Sequence, residues 1–149
     1  MSYLLDTSVL FEYVRKKPVP QVIDWLDSQD ERSLFISSLT LAELRKGFYK
    51  LRTKAVEKDE VQRAAKLGLW LQCVESRFEN RILAIDERVL ELWAMMCGQS
   101  EANGKKLPVV DSLLVATALV HAMFAVTRNS TDFRNCSEAV NIFNPFESR

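Results

Sequence analysis

The sequence predicts an α/β protein with a mainly parallel central sheet of about five strands, covered by helices on both faces. Short apolar runs of three or four residues alternate along the chain with longer segments whose apolar residues recur at helical spacing. Residues that favour turns and helix caps separate the two kinds of segment. This alternation is typical of parallel strands joined by crossover helices.

Five apolar runs have the length and composition of strands buried on both faces. They lie at residues 3–5, 34–36, 82–85, 123–126 and 140–143. A polar turn is expected between the fourth and fifth runs, and it includes residues 127–132.

Helices are predicted between the strands. The main segments with helical spacing or good helix formers are residues 19–26, 39–54, 61–78 and 110–121, and another helix starts after Asp86 and ends at Asn103 and Gly104. A short helix is also expected after Asp6. The segments 39–54 and 61–78 are candidates for an antiparallel pair.

Composition narrows the class of protein. A chain of 149 residues is expected to form a single domain over residues 1–149. Its 20 basic and 20 acidic residues cancel, so any site for a polyanion must be local. Three widely spaced cysteines without a C-x-x-C pair are expected to be buried free thiols. No basic leader or long apolar stretch is present, which predicts a cytoplasmic protein without a membrane segment.

Acidic side chains follow the predicted strands, where an open α/β sheet binds its ligands. Asp6 follows the first strand, Glu43 lies one turn inside the helix after the second, and Asp132 lies in the polar turn after the fourth. These three are expected at one edge of the sheet. Asp111 begins the helix that leads into the fourth strand. The sequence leaves its place open, because that helix would start at the opposite edge unless it runs back along the sheet.

Each acid also has a purely structural interpretation. Asp6 and Asp111 could cap helices, Glu43 could pair with a nearby arginine, and Asp132 could be an ordinary turn residue. The four together are harder to explain, because carboxylates in one cleft repel each other unless protons or a cation neutralise them. Oxygen ligands without histidine or cysteine suit Mg²⁺ or Mn²⁺, which can activate water for attack on a phosphodiester.

Four segments in order match the motifs of one known family. They are residues 4–10, residues 37–44 with Gly47, residues 107–118 and residues 127–133. On these segments the chain resembles PIN-domain toxins of the VapC and FitB type, the nuclease halves of bacterial toxin–antitoxin pairs. The resemblance covers nearly the whole chain, and it implies a PIN-like three-layer α/β/α fold.

The resemblance also implies roles for individual residues. Asp6 and Asp111 would be the principal ligands of one or two Mg²⁺ or Mn²⁺ ions, and Glu43 and Asp132 would complete the cluster or act through water. Further polar positions match those that line the same pocket, namely Thr7, Ser8, Thr127 and Asn129.

The activity implied by the resemblance is that of a metal-dependent endoribonuclease acting on RNA such as tRNA or rRNA. Similar proteins are homodimers held silent by a small antitoxin protein whose tail enters the cleft. The alternative is a non-catalytic PIN module that binds an antitoxin and acts with it as a DNA-binding autorepressor. A phosphatase of the haloacid-dehalogenase type is disfavoured because Ser8 stands where its second aspartate would be.

A local excess of positive charge lies beside the second motif. Residues 45–58 carry six cations against Glu57, and this segment could be only a solvated helix face. Beside an acidic metal site it could instead hold RNA phosphates, together with Lys105, Lys106 and Arg128. On that interpretation, reversing the charges of Lys50 and Arg52 is predicted to weaken RNA binding.

Overall fold

A computed structural model describes residues 1–147 of the chain. Within these residues the sheet has five strands, which are β1 (Tyr3–Leu5), β2 (Leu34–Ser37), β3 (Ile82–Leu83), β4 (Phe124–Val126) and β5 (Ile142–Phe143). All neighbouring strands are parallel, in the order β3-β2-β1-β4-β5. The sequence prediction of about five mainly parallel strands is confirmed.

The central strand β1 determines where ligands can reach the sheet. Leu4 pairs with Phe35 of β2 on one side and with Ala125 of β4 on the other. The chain adds β2 and β3 on the first side, and β4 and β5 on the second. The side on which the chain adds strands changes between β1 and β4, and this creates a crevice at the carboxyl ends of these two parallel strands.

The helices surround the sheet in chain order. They are α1 (Thr7–Leu10), α2 (Pro20–Ser28), α3 (Ser38–Lys54), α4 (Lys58–Arg77), α5 (Glu87–Ala102), α6 (Val109–Val120) and α7 (Ser130–Cys136). A 3-10 turn, Phe11–Val14, continues α1. Six of these helices match the predicted segments.

The seventh helix corrects the sequence prediction. The segment between β4 and β5 was predicted to be a polar turn, but it contains α7. Phe133 and Cys136 are buried, and their three-residue spacing places both on the side of the helix that faces the core. A helix of seven residues contains little more than one apolar repeat. The polar residues of α7 therefore dominate its sequence, which is typical of a turn.

Helices α3 and α4 form the expected antiparallel pair. Arg45 at the middle of α3 pairs with Glu75 near the end of α4, with 2.8 Å between Nη2 and Oε1. At Gly68 the helices approach so closely that an added Cβ would lie 2.9 Å from the ring of Phe48. We call this pair the α3–α4 hairpin.

Two apolar clusters cover the two faces of the sheet. Leu4 belongs to the cluster formed with α5, α6 and α7, whereas Leu5 belongs to the cluster formed with α1 to α4. Adjacent strand residues point to opposite faces, so these two leucines anchor opposite layers. The three-layer α/β/α architecture is therefore confirmed.

Two further sequence expectations concern cysteines and membrane segments. Cys73, Cys97 and Cys136 are free thiols as predicted, but Cys73 is exposed on α4, so the expectation that all three are buried is wrong. Within residues 1–147, no helix has both the length and the apolar character needed to cross a membrane.

Candidate active site

Asp6 lies at the carboxyl end of β1 and is the N-cap of α1. Its Oδ1 accepts a hydrogen bond from the backbone N–H of Thr7 at 2.8 Å. Its Oδ2 accepts from the hydroxyls of Ser8 at 3.0 Å and Thr127 at 2.8 Å. The capping interpretation is correct for Asp6, but it accounts for only one of the two carboxylate oxygens. The other is held in the crevice between β1 and β4.

Burial raises the pKa of Asp6 above its usual value. The hydrogen bonds from Thr127, Ser8 and Thr7 act in the opposite direction without cancelling the effect of burial. Only 7% of the residue is exposed. The ionised form of this carboxyl is therefore costly in the free protein, and a nearby cation would stabilise it.

Glu43 lies one turn inside α3, and the start of that helix fixes its place. The Ser37 hydroxyl accepts from the N–H of Leu39 at 3.0 Å and so caps α3. Glu43 Oε1 accepts from the Thr7 hydroxyl at 2.9 Å. The alternative in which Glu43 pairs with a nearby arginine is wrong, because the hydroxyl of Thr7 holds this carboxylate. Thr7 thus contacts both Asp6 and Glu43.

Asp111 lies in the first turn of α6, at the same edge of the sheet as the other acids. Only three residues separate the end of α6 from β4, so the helix runs back alongside the sheet and begins at the carboxyl edge. This settles the question that the sequence left open. The capping interpretation of Asp111 is wrong, because the N-cap of α6 is Pro108. Within residues 1–147, the Asp111 side chain forms no hydrogen bond or ion pair.

The ionisation of Asp111 shows that the four acids interact. Its pKa is raised to about 6, first by burial and then by the negative charges of Asp6, Asp132 and Glu43. The structure therefore brings all four predicted acids into one electrostatic cluster, which we call the acid cluster.

Asp132 is the exposed member of the acid cluster. It lies in the first turn of α7 and not in a turn between strands, so the expectation of an ordinary turn residue is wrong. The link from β4 is shaped by Thr127, whose hydroxyl accepts the backbone N–H of Asn129 at 2.9 Å while donating to Asp6. Thr127 is fully buried, and Asn129 is exposed at the mouth of the crevice.

The acid cluster is not a closed set of metal ligands. Within residues 1–147, no three His, Cys, Asp or Glu side chains lie close enough together to hold an ion by themselves. Glu12 is a buried carboxylate outside the acid cluster, and it has its own partners. It pairs with Arg15 at 3.0 Å and accepts the N–H of Val19 at 2.9 Å, so its role is structural.

A groove of about 700 Å³ opens beside the acid cluster, between the α3–α4 hairpin and the segment formed by α1 and its 3-10 turn. We call it the α3 groove. Thr7 and Glu43 lie at its border with the acid cluster. Its cations are Lys16, Lys50, Lys54, Arg63 and Lys66.

The sequence pattern indicates only part of this cationic lining. The helical spacing of Lys50 and Lys54 marks a shared face of α3. Lys16 follows the 3-10 turn, and Arg63 and Lys66 lie on α4, so no local pattern joins them to that face. Arg52 was paired with Lys50 in the sequence prediction, but it stacks on Phe48 and Tyr49 on the other side of the hairpin.

Comparison with known proteins identifies the family. The family model for the PIN domain matches residues 3–138 of the chain, a range that contains all four acids of the cluster. The chain belongs to the PIN-domain family. The resemblance drawn from its motifs is thereby confirmed.

The similarity to known proteins extends over nearly the whole length of this PIN domain. It is 32% identical to toxin FitB of Neisseria gonorrhoeae over 146 residues, which cover 96% of this chain and 97% of FitB. It is 28% identical to VapC ribonuclease Y4jK of Sinorhizobium fredii over 152 residues, covering 97% of each. The solved structure of FitAB bound to an IR36 DNA fragment superposes with a TM-score of 0.82 at 31% identity, covering 99% of this chain and 97% of that one.

Proposed function

We propose that this PIN domain is the toxin of a toxin–antitoxin pair and acts as an endoribonuclease that uses Mg²⁺ or Mn²⁺. The observation that carries the proposal is the acid cluster, in which burial and three neighbouring carboxylates raise the pKa of Asp111 to about 6. Similarity to a FitB toxin and a VapC ribonuclease supports the same conclusion. Asp6, Glu43, Asp111 and Asp132 are the proposed catalytic residues.

The donor set fits a hard divalent ion. Magnesium usually takes one or two carboxylates and completes its coordination with water and substrate phosphate, so it needs no closed protein cage. Asp6 and Asp111 would hold the ion, because the first is fixed in the crevice and the second has no other partner within residues 1–147. A bound ion would supply positive charge at the phosphate and lower the pKa of a water molecule.

The remaining groups would position the substrate and move a proton. Glu43 and Asp132 are the proposed carboxylates that act through water, since Glu43 is oriented by Thr7 and Asp132 is exposed. The single histidine cannot replace them. His121 follows the last residue of α6, roughly 15 Å along the helix from Asp111. Ser8, Thr127 and Asn129 would complete the polar wall of the pocket.

The same geometry suggests how the enzyme is silenced. A small antitoxin that places a basic side chain against the acid cluster would neutralise its charge and block the site of the ion. We propose such an antitoxin as the partner, with a homodimer as the assembly and the cytoplasm as the location.

A second candidate function is a non-catalytic module that binds DNA together with its antitoxin. The superposition on FitAB bound to a DNA fragment favours this alternative. In that case the acid cluster would bind an antitoxin and would not cleave RNA.

The deciding experiment incubates the purified, antitoxin-free chain with a mixed pool of tRNA and rRNA. The conditions are Mg²⁺ alone and Mg²⁺ with excess chelator, and the variants are Asp6→Asn and the control Asp24→Asn, which changes an exposed acid of α2. Cleavage that needs both the metal and Asp6 would support the ribonuclease. Intact RNA with a folded protein would favour the DNA-binding module.

A further inference from the structure

We propose that the α3 groove binds a single-stranded segment of the RNA substrate, with Phe11 stacking on a base and cations of the α3–α4 hairpin holding the phosphates. This inference rests on the proposed ribonuclease function and adds where, and in which form, the RNA is bound.

The charge of the groove is the first argument. Its five cations form no ion pair within residues 1–147, whereas the partnered arginines of the chain lie elsewhere. Glu43 is the one acid among the lining residues, and it belongs to the acid cluster. An uncompensated row of cations that ends at an acidic metal site is complementary to a phosphate backbone with one scissile bond.

The floor of the groove is the second argument. Between the cations it is apolar, with Leu51 and Leu67 half-buried and facing the cavity. In A-form duplexes the bases are stacked and paired inside the helix, and a protein cannot bring them onto such a floor. A single strand can turn its bases to the apolar floor and its phosphates to the cationic rim.

Phe11 is the third argument, because it supplies an exposed aromatic ring at the right place. It is 41% exposed and lines the groove. Its backbone N–H donates to the carbonyl of Thr7, so the two residues are one helical turn apart at the end nearest the acid cluster. The turn that carries it is held by the buried Glu12, which bonds Arg15 and Val19. A rigid aromatic ring next to the reacting phosphate is the usual platform for an unpaired base.

The outer side of the same hairpin provides matched controls. Arg52 lies two residues from Lys50 but stacks on Phe48 and Tyr49, away from the groove. Tyr49 is 51% exposed and so resembles Phe11 in exposure without lining the groove. Changes at Arg52 and Tyr49 alter the charge and aromatic surface of the hairpin but leave the groove intact.

The test measures binding without cleavage. Fluorescence anisotropy of a labelled, mixed-sequence RNA strand of about 12 nucleotides is followed in excess chelator, at several salt concentrations. The double variant Lys50→Glu/Lys54→Glu is expected to weaken binding about tenfold or more and to lower the salt slope by about 1.4, whereas Arg52→Glu stays within about twofold of the unmodified chain. Phe11→Leu is expected to weaken binding about tenfold with the salt slope unchanged, and Tyr49→Leu is not.

Several outcomes would overturn the proposal. If groove and control variants bind RNA equally well, the groove does not bind the RNA. Equal affinity for the single strand and its duplex would also contradict the proposal. Groove variants that keep RNA affinity but no longer bind an antitoxin would assign the groove to a protein segment. An unmodified chain that binds no RNA in chelator overturns the inference, and cleavage in Mg²⁺ then decides separately whether the proposed function stands.

Discussion

Asp6 and Asp111 belong to the same acid cluster, but the regions that carry them hold the two carboxylates in opposite ways. At the end of β1, Asp6 is fixed by a backbone N–H and two hydroxyls. At the start of α6, the side chain of Asp111 has no hydrogen-bond partner within residues 1–147 and is surrounded by negative charge. One acid is oriented before any ligand arrives, and the other is kept available for one. This difference predicts which variants lose only activity and which also lose stability.

The largest effects are expected at these two aspartates. Asp6→Asn and Asp111→Asn should each lower the rate of RNA cleavage more than about a hundredfold, because these two are the proposed metal ligands and ligands contribute more than the groups that orient them. Their effects on folding should differ. Asp6→Asn replaces an oxygen that accepts two hydrogen bonds and should lower the free energy of unfolding by about 1–3 kcal/mol, whereas Asp111→Asn should not. Cleavage rates in Mg²⁺ check the first expectation, and urea unfolding in chelator checks the second. Equal losses of stability in the two variants would contradict the difference between the two regions.

Thr127 should matter next, because it orients Asp6 from the β4 side. Thr127→Val removes the hydroxyl that donates to Asp6, and it should slow cleavage by about 10–100-fold, while Thr127→Ser keeps most of the activity. Thr117→Val is the matched control, because Thr117 is equally buried but donates to the carbonyl of Leu113 in its own helix. Activity that falls as far in the control would show that a general packing effect is responsible.

A smaller effect is expected at Thr7, which joins Asp6 to Glu43. Thr7→Val removes the hydroxyl that donates to Glu43, but it keeps the backbone N–H that donates to Asp6. The loss of one partly exposed hydrogen bond should slow cleavage about fivefold. Steady-state kinetics should show this loss mainly in kcat. In a variant that already carries Glu43→Gln, adding Thr7→Val should cause no further loss. Additive losses in the double variant would separate Thr7 from Glu43.

The pH dependence of stability should reveal the unpaired state of Asp111. Its pKa is raised from 3.8 to about 6 on folding, so between these values the folded state binds more protons than the unfolded state. Protonated Asp111 therefore stabilises the folded state at low pH, and this contribution is lost as the pH rises through about 6. In chelator at pH 7.5, Asp111→Asn should raise the free energy of unfolding by about 1 kcal/mol relative to the unmodified chain, after allowance for solvent screening. At pH 4 the variant should be no more stable than the unmodified chain. Urea unfolding at both values tests the sign.

The comparison also explains what the sequence could predict. Asp6 follows β1 directly, and Glu43 lies one turn inside the helix that begins at the end of β2. The carboxyl ends of parallel strands share one edge, so the sequence predicts both acids there. Asp111 was identified as a candidate but could not be placed, because the direction of a helix relative to the sheet depends on the length of its connection. Only the structure shows that three residues link α6 to β4.

Other features depend on contacts between distant segments. Helix α7 was missed because its two core contacts lie in a mostly polar heptapeptide. The α3 groove was missed because Lys16, Arg63 and Lys50 come from three elements whose packing no local pattern encodes. Arg52 lies on the outer side of the hairpin for the same kind of reason, since residues two apart on a helix point to different sides.

The α3–α4 hairpin has a consequence for how such enzymes can diversify. Of the acid cluster, only Glu43 lies on this hairpin, and it lies in the first two turns of α3. Four of the five cations of the groove lie further along α3 or on α4, beyond the residues that touch Asp6. The distal half of the hairpin can therefore be lengthened, recharged or exchanged while the chemistry at the sheet edge stays the same. Under the proposed function, substrate choice and bond cleavage would reside in separate parts of one small chain.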